Sequence, residues 1–298
     1  MKIDANGLTF EVLVHEPPPG VEVAGTVLLT MGLGMQLVAW PDSFIQALTQ
    51  AGQRVVRYDN RDIGLSSHLD ALGAPRMPWQ FVKHKMGWPL NPPYTLQDMA
   101  LDALGLLDAL GIDRAHLVGI SMGGMVSQRL AATAPHRVRS LTSIMSSSGA
   151  PGLPGPSAQV ARAMLIRPFS RDPADIVSHT MSLFRLIGSP AFRDDADQLR
   201  ARILAGVLRS YHPQGVLRQT LAIVADTDRH TLLPRIGCPT LVIHGTADPL
   251  VPLACGQDTA RRIPGALLEA IDGMGHDWPP SVQPLWLRVL LPHLAAAR

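Results

Sequence analysis

Lysine is almost absent from this chain: Lys2, Lys83 and Lys85 are the only three, and the positive charge rests on scattered arginines. With a formal net charge of +2 and no basic stripe, the sequence lacks the electrostatic footprint of a nucleic-acid binder. Its two cysteines, Cys238 and Cys255, are too few for a disulfide framework. Cys238 precedes Pro239 at a strand entrance and Cys255 falls in a helical stretch, so both read as free thiols of a reducing compartment. No apolar run approaches the roughly eighteen residues of a membrane-spanning helix. Met1 to Gly7 lack the apolar core of a secretory signal, so the expectation is a cytoplasmic protein with no membrane and no nucleic-acid partner. No His, Cys and Asp cluster has metal-ligand spacing either, so no metal is expected. Oligomeric state cannot be read from the sequence.

What is present is a globular composition, 46% hydrophobic and 17% charged over 298 residues. Short apolar runs alternate with helical patterns, the signature of a mostly parallel sheet covered by helices. Strands are expected at Leu8–Val14, Thr26–Thr30, Arg54–Tyr58, Ala115–Gly119, Val138–Ser143, Thr240–His244 and Leu267–Ile271. Helices are expected near Asp42–Gln50, Leu96–Leu110, Met122–Ala134 and Ala254–Arg262, with another at the C-terminal end. The alternation breaks between Leu69 and Pro93, a stretch rich in proline and tryptophan without a clear period. It breaks again after the linker-like Ser146-Ser147-Ser148-Gly149-Ala150-Pro151-Gly152, and from there to Pro234 the pattern is helical. A helical insertion between two parallel strands is most simply a cap over the sheet's C-terminal edge, where ligands bind in open α/β sheets. The expected division is a first core part over 1–146, a cap over 147–234 and a second core part over 235–298.

The chemistry gathers at Gly119-Ile120-Ser121-Met122-Gly123, which follows an apolar strand and opens a helix. A serine there stands on a sharp bend with its hydroxyl above the sheet edge. Such a hydroxyl needs a base to take its proton, and the base needs an acid to orient it. Asp248, in His244-Gly245-Thr246-Ala247-Asp248-Pro249, stands just beyond a strand's C-terminal end. His276, in Gly273-Met274-Gly275-His276-Asp277, occupies the loop after the last strand. His244 and His230 are substitutes for the base; Asp272, at the next strand's end, is the alternative acid, while Asp226 and Asp228 fall inside the insertion. Asp248 before Pro249 also suits a plain helix cap. An oxyanion requires two donors: the N–H of Met122, after the nucleophile, and a second from the glycine-rich loop Met31-Gly32-Leu33-Gly34, where Leu33 is the choice.

These motifs give the chain a resemblance to the α/β-hydrolases over nearly its whole length. The segment from Trp40 to Phe44, the run from Val55 to Ser66, and the spacing of Ser121, Asp248 and His276 are similar to the aclacinomycin methylesterase branch. The resemblance implies cofactor-free ester hydrolysis through an acyl-enzyme beneath a helical cap. Two departures stand out. Met31-Gly32 replaces the usual His-Gly, a variation that branch shares, and the stretch from Ala71 to Asn91 is longer than in the methylesterase, as part of a lid would be. The elbow serine argues against dehalogenases and epoxide hydrolases of this fold, which resemble it but use an aspartate there.

The expected function is a serine carboxylic-ester hydrolase for a small to medium apolar ester. A lactone, thioester or carbon–carbon bond hydrolase, or a cofactor-free perhydrolase, uses the same triad, and a ligand receptor without turnover is the non-enzymatic alternative. Met274 and Trp278 beside the triad, with Met181 and Phe184 in the insertion, are the candidate apolar substrate contacts, though at helical spacing such residues also suit a helical core.

Overall fold

The computed structural model describes residues 1–166 and 168–297, with only the backbone of Phe81, His84 and Lys85. Eight strands form one sheet: β1 (Lys2–Ala5), β2 (Leu8–His15), β3 (Gly25–Thr30), β4 (Gln53–Tyr58), β5 (Ala115–Ile120), β6 (Val138–Ile144), β7 (Thr240–Gly245) and β8 (Leu267–Ile271). Their order is β1-β2-β4-β3-β5-β6-β7-β8. The first two pairings, β1 with β2 and β2 with β4, are antiparallel, and all the others are parallel. This is the expected α/β-hydrolase architecture, with helices on both faces. Every residue of β5 and of β7 is buried, as strands covered on two faces must be.

Helices α1 (Asp42–Gln50), α2 (Met77–Lys85), α3 (Leu96–Ala109) and α4 (Met122–Thr133) belong to the first half of the chain. A reciprocal cap opens α3: Thr95 accepts from the Asp98 N–H at 3.1 Å, and Asp98 accepts from the Thr95 N–H at 2.7 Å. Between β6 and β7 run α5 (Ala158–Leu165), α6 (Pro173–Ile187), α7 (Ala196–Arg209) and α8 (Pro213–Val224). Ser157, Asp172 and Asp195 cap three of them, and prolines at 173 and 213 start two in their first turn. Helices α9 (Leu253–Arg262) and α10 (Gln283–Ala296) complete the chain. Two apolar clusters, one on each face of the sheet's strands, make the core.

The four inserted helices are tied to loops that leave the C-terminal ends of the strands. Arg218 of α8 grips Asp62 with two hydrogen bonds, 2.8 and 2.7 Å, and both side chains are fully buried. Arg209 of α7 reaches Asp59 at 2.7 Å. Below them Asp226 joins Arg129 of α4 at 2.6 Å to Arg229 at 2.9 Å. Removing one partner of such a buried pair leaves an uncompensated charge, so these ties hold the insertion in register.

Two features depart from the sequence reading. The first strand is β1, not β2; it pairs with β2 from Lys2 opposite Glu11 to Ala5 opposite Leu8. The aperiodic stretch between Leu69 and Pro93 contains α2, which packs on α8. Trp79 and Val82 of the helix are exposed, so among its described side chains no buried apolar stripe marks it. Both cysteines are free thiols.

Candidate active site

Ser121 turns the chain from β5 into α4 at φ 54° and ψ −119°, a region costing a non-glycine residue about 1–3 kcal/mol. The bend is held on both sides. Its N–H donates to Ile144 O at 2.9 Å, and Ser146 Oγ donates to its carbonyl at 2.7 Å. The flanking glycines are steric requirements: a Cβ on Gly119 would lie 2.2 Å from Gly123 O, and one on Gly123 2.1 Å from Thr30 O. Strand, elbow and helix therefore approach as closely as backbone allows.

Above this elbow, His276 Nε2 stands 3.1 Å from Ser121 Oγ. Its Nδ1 is 2.7 Å from Asp248 Oδ2. The carboxylate can only accept, so Nδ1 carries the proton and Nε2 presents a lone pair to the serine. Asp248 in turn accepts from the N–H groups of Leu250 at 2.9 Å and Val251 at 2.8 Å through Oδ1. Three donors fix the carboxylate and leave it no freedom to rotate from the imidazole. The sequence-derived trio, remote in the chain, is thus one hydrogen-bonded relay, with Asp248 and His276 largely buried.

The Met31–Gly34 turn passes directly over the serine. A Cβ on Gly32 would come within 3.3 Å of both Ser121 Cβ and Ile120 O. Among the described residues neither the Leu33 N–H nor the Met122 N–H finds an acceptor in the protein. Met122 opens α4, so its N–H lies at the positive end of a helix dipole. A tetrahedral intermediate places negative oxygen where such donors are needed.

The competing residues have other work. His244 is fully buried and donates from Nε2 to Val251 O at 2.7 Å; burial lowers its pKa. It supports the loop that carries Asp248. Asp272 accepts from Thr246 Oγ1 at 2.9 Å, Asp226 and Asp228 pair with Arg129, and His230 lies at the base of the insertion. Of the apolar candidates, Phe184 and Trp278 meet edge to face at 6.4 Å, close to the histidine loop. Trp278 is fixed by an indole bond to Ala39 O at 3.1 Å. Met181 is buried in α6. Met274 is corrected: it is fully buried, its sulfur takes the Trp286 indole N–H at 3.4 Å, and it belongs to the core beneath α10 rather than to a substrate surface.

Residues without a local sequence signal also shape the site. The His276 N–H donates to Ile187 O at the end of α6, and Gly275 N–H donates to Ser189 Oγ at 2.8 Å. Asp277 accepts from the Ser189 N–H at 3.0 Å, and burial pushes its carboxyl pKa up. Farther off, His212 stacks on His68 with ring centres 3.9 Å apart and contacts Asp70 at 2.8 Å. The parallel rings keep their in-plane lone pairs from converging on one ion, and Arg218 stands 3.4 Å from Asp70. This cluster is an ion-pair latch between the insertion and the loop after β4.

Residues 25–172 match the family model described as alpha/beta hydrolase fold. Over 307 aligned residues the chain is 30% identical to the rhodomycin D methylesterase of Streptomyces peucetius, covering 96% of each protein. The chain belongs to the α/β-hydrolase family. This α/β-hydrolase superposes on the meta-cleavage product hydrolase of Pseudomonas fluorescens IP01 with a TM-score of 0.76 at 18% identity, over 100% of this chain and 98% of that one. It superposes on the enol-lactonase of Burkholderia xenovorans LB400 with a TM-score of 0.71 at 22% identity, over 99% of both. Identities this low speak for the fold of the α/β-hydrolase and not for its substrate. No helix among the described residues is long and apolar enough to cross a membrane.

Proposed function

We propose that this α/β-hydrolase is a carboxylic-ester hydrolase in which Ser121 is the nucleophile, His276 the base and Asp248 the orienting acid. The observation that carries the reading is the continuous relay from Ser121 Oγ through His276 to Asp248, 3.1 and 2.7 Å long. His276 takes the serine proton as Oγ attacks the ester carbonyl, and the Leu33 and Met122 N–H groups receive the oxyanion. His276 then gives the proton to the departing alcohol. Water, deprotonated by the same imidazole, releases the acid from the acyl-enzyme. Asp248 stabilises the imidazolium in each half-reaction. No step calls for a cofactor.

The relationship to a methylesterase supports an ester as the bond cleaved and a small alcohol as the leaving group. Residues 147–234 act as the cap in this reading. Phe184 and Trp278 supply apolar surface beside the base, which suits a small to medium apolar acyl group. Turnover of p-nitrophenyl esters from acetate to dodecanoate, with Ser121→Ala in parallel, is the test. Turnover that disappears in the variant is expected, and turnover that persists in it rejects the serine mechanism. An inert parent enzyme on every chain length rejects simple ester hydrolysis.

A further inference from the structure

The turn over Ser121 is held largely from outside the sheet. Its own hydrogen bond runs from Met35 N–H to Gly32 O at 3.2 Å. Gly32 C=O and Leu33 N–H share one peptide plane and point in opposite directions, so that bond aims the Leu33 N–H. What fixes the position of the turn as a unit is a set of side chains around it. Asn60, from the loop after β4, donates to Met31 O at 3.0 Å. Gln219, on α8 of the insertion, accepts from the Gly34 N–H at 3.0 Å and donates from Nε2 to Arg61 O at 2.9 Å. Gln36 donates to Gly206 O and Ser210 O at the end of α7, at 2.7 and 2.8 Å, while Arg209 donates to Gln36 Oε1 at 2.6 Å.

Gln219 is fully buried, and each end of its amide has one partner on the core. A buried amide satisfied at both ends cannot turn over without leaving two backbone groups unpaired. The packing agrees: Gly34 has φ +70°, and a Cβ there would lie 3.1 Å from Val216 of the same helix. Helix α8 and the turn therefore sit in one fixed relation.

We propose that Gln219 is a positioning residue for the oxyanion hole, carried by the insertion rather than by the sheet. It acts through the turn, placing the Leu33 N–H where the oxyanion develops, and touches no reacting atom. The inference rests on the reading of Leu33 as an oxyanion donor. Its corollary is that any shift of α8 alters transition-state stabilisation directly, beyond its effect on access.

The test compares the parent enzyme with Gln219→Leu and Gln219→Glu on p-nitrophenyl butyrate. A phenylboronic acid serves as a tetrahedral mimic, and amide hydrogen exchange over residues 31–37 as a readout independent of turnover. Losing an oxyanion donor costs about 10²–10³ in rate, so a displaced one in Gln219→Leu should lower kcat about 10–100-fold with KM nearly unchanged. Boronate affinity should fall in proportion, and exchange over 31–37 should quicken. Gln219→Glu adds a signature that loss of stability alone does not produce. A protonated carboxyl reproduces both the acceptor and the donor of the amide, whereas a carboxylate faces Arg61 O without a proton. The ratio of variant to parent kcat should therefore climb as pH falls. Unchanged kcat and exchange in Gln219→Leu, or a lowered kcat with undiminished boronate affinity, overturns the proposal. A parent enzyme inert toward esters overturns the hydrolase reading instead, and the exchange rates still decide whether Gln219 holds the turn.

Discussion

The backbone N–H of His276 donates to the carbonyl of Ile187 at 2.7 Å. His276 is thus registered against the last turn of α6, and its neighbours Gly275 and Asp277 repeat the attachment through Ser189. Loops are the mobile part of most folds, yet this one is bound to a helix on one side and to Asp248 on the other. Preorganisation of the imidazole follows from that double attachment.

Replacing the acid tests the relay itself. In Asp248→Asn, Oδ1 can still accept from Leu250 and Val251, so the loop keeps its shape. The amide presents a donor to His276 Nδ1 and forces the wrong tautomer. Turnover should fall by about 10⁴, as in the serine-protease triad, with little change in the thermal midpoint. Steady-state kinetics beside thermal unfolding checks both halves. Near-parent turnover would remove Asp248 from the acid role.

The strain at Ser121 should be visible as stability. Ser121 sits at φ 54°, which glycine adopts freely. Ser121→Gly should raise the unfolding free energy by about 1 kcal/mol, the release of strain exceeding the added chain entropy. Ser121→Ala keeps the strained φ and should not gain it. Denaturant unfolding of the two variants separates them, and equal stabilities would contradict the strain argument.

His116 sets part of the acid limb of stability. Buried on β5 and bonded to Ser140 Oγ at 2.8 Å, its pKa is lowered to about 4 by burial from an ordinary 6.5. Between those values the unfolded chain binds the extra proton and the folded one does not. Stability therefore rises with pH across the window and is lost as pH falls through it, by roughly 3 kcal/mol. His116→Asn keeps a polar atom near the Nδ1 position and should flatten this limb. Unfolding free energies measured from pH 4 to 7 give the slope; an unchanged slope in the variant rules His116 out.

The Asp62–Arg218 pair is a third lever on the insertion. Burial raises the Asp62 pKa, but the Arg218 guanidinium and the Leu69 N–H outweigh it and hold the carboxyl below its usual range. Arg218→Met strands that carboxylate and should cost about 3–5 kcal/mol. Adding Asp62→Asn should recover much of the loss, since asparagine also tolerates the φ of 69° at this position. A double-mutant cycle by chemical denaturation measures the coupling, and additive effects would show that the pair is not coupled.

Much of the sheet and the relay could be read from residue order because both are written locally. Strands β3 to β8 each carry a short apolar segment, and Ser121, Asp248 and His276 each follow one of them. Strand β1 escaped because its four residues, Lys2 to Ala5, carry only a short alternation and gain their sheet hydrogen bonds by pairing with β2. Helix α2 escaped because Trp79 and Val82, its apolar side chains in mid-helix among those described, are exposed rather than turned toward a core. Met274 looked like a pocket residue from its place beside His276, but the chain turns it toward Trp286. Gln219, Gln36 and Ile187 were illegible for a different reason. Each acts through a hydrogen bond to a residue 89 to 185 positions away, or to its neighbour's helix end, and no local pattern encodes such a pairing.

The attachment of both the histidine loop and the serine-side turn to one inserted segment bears on how such enzymes diverge. An exchange of residues between β6 and β7 with a relative would carry off the partners of His276, Gly34 and Gln36. On the proposed reading the inserted segment governs rate as well as preference, so a graft that brings a new preference must also bring new anchors for His276 and the turn over Ser121.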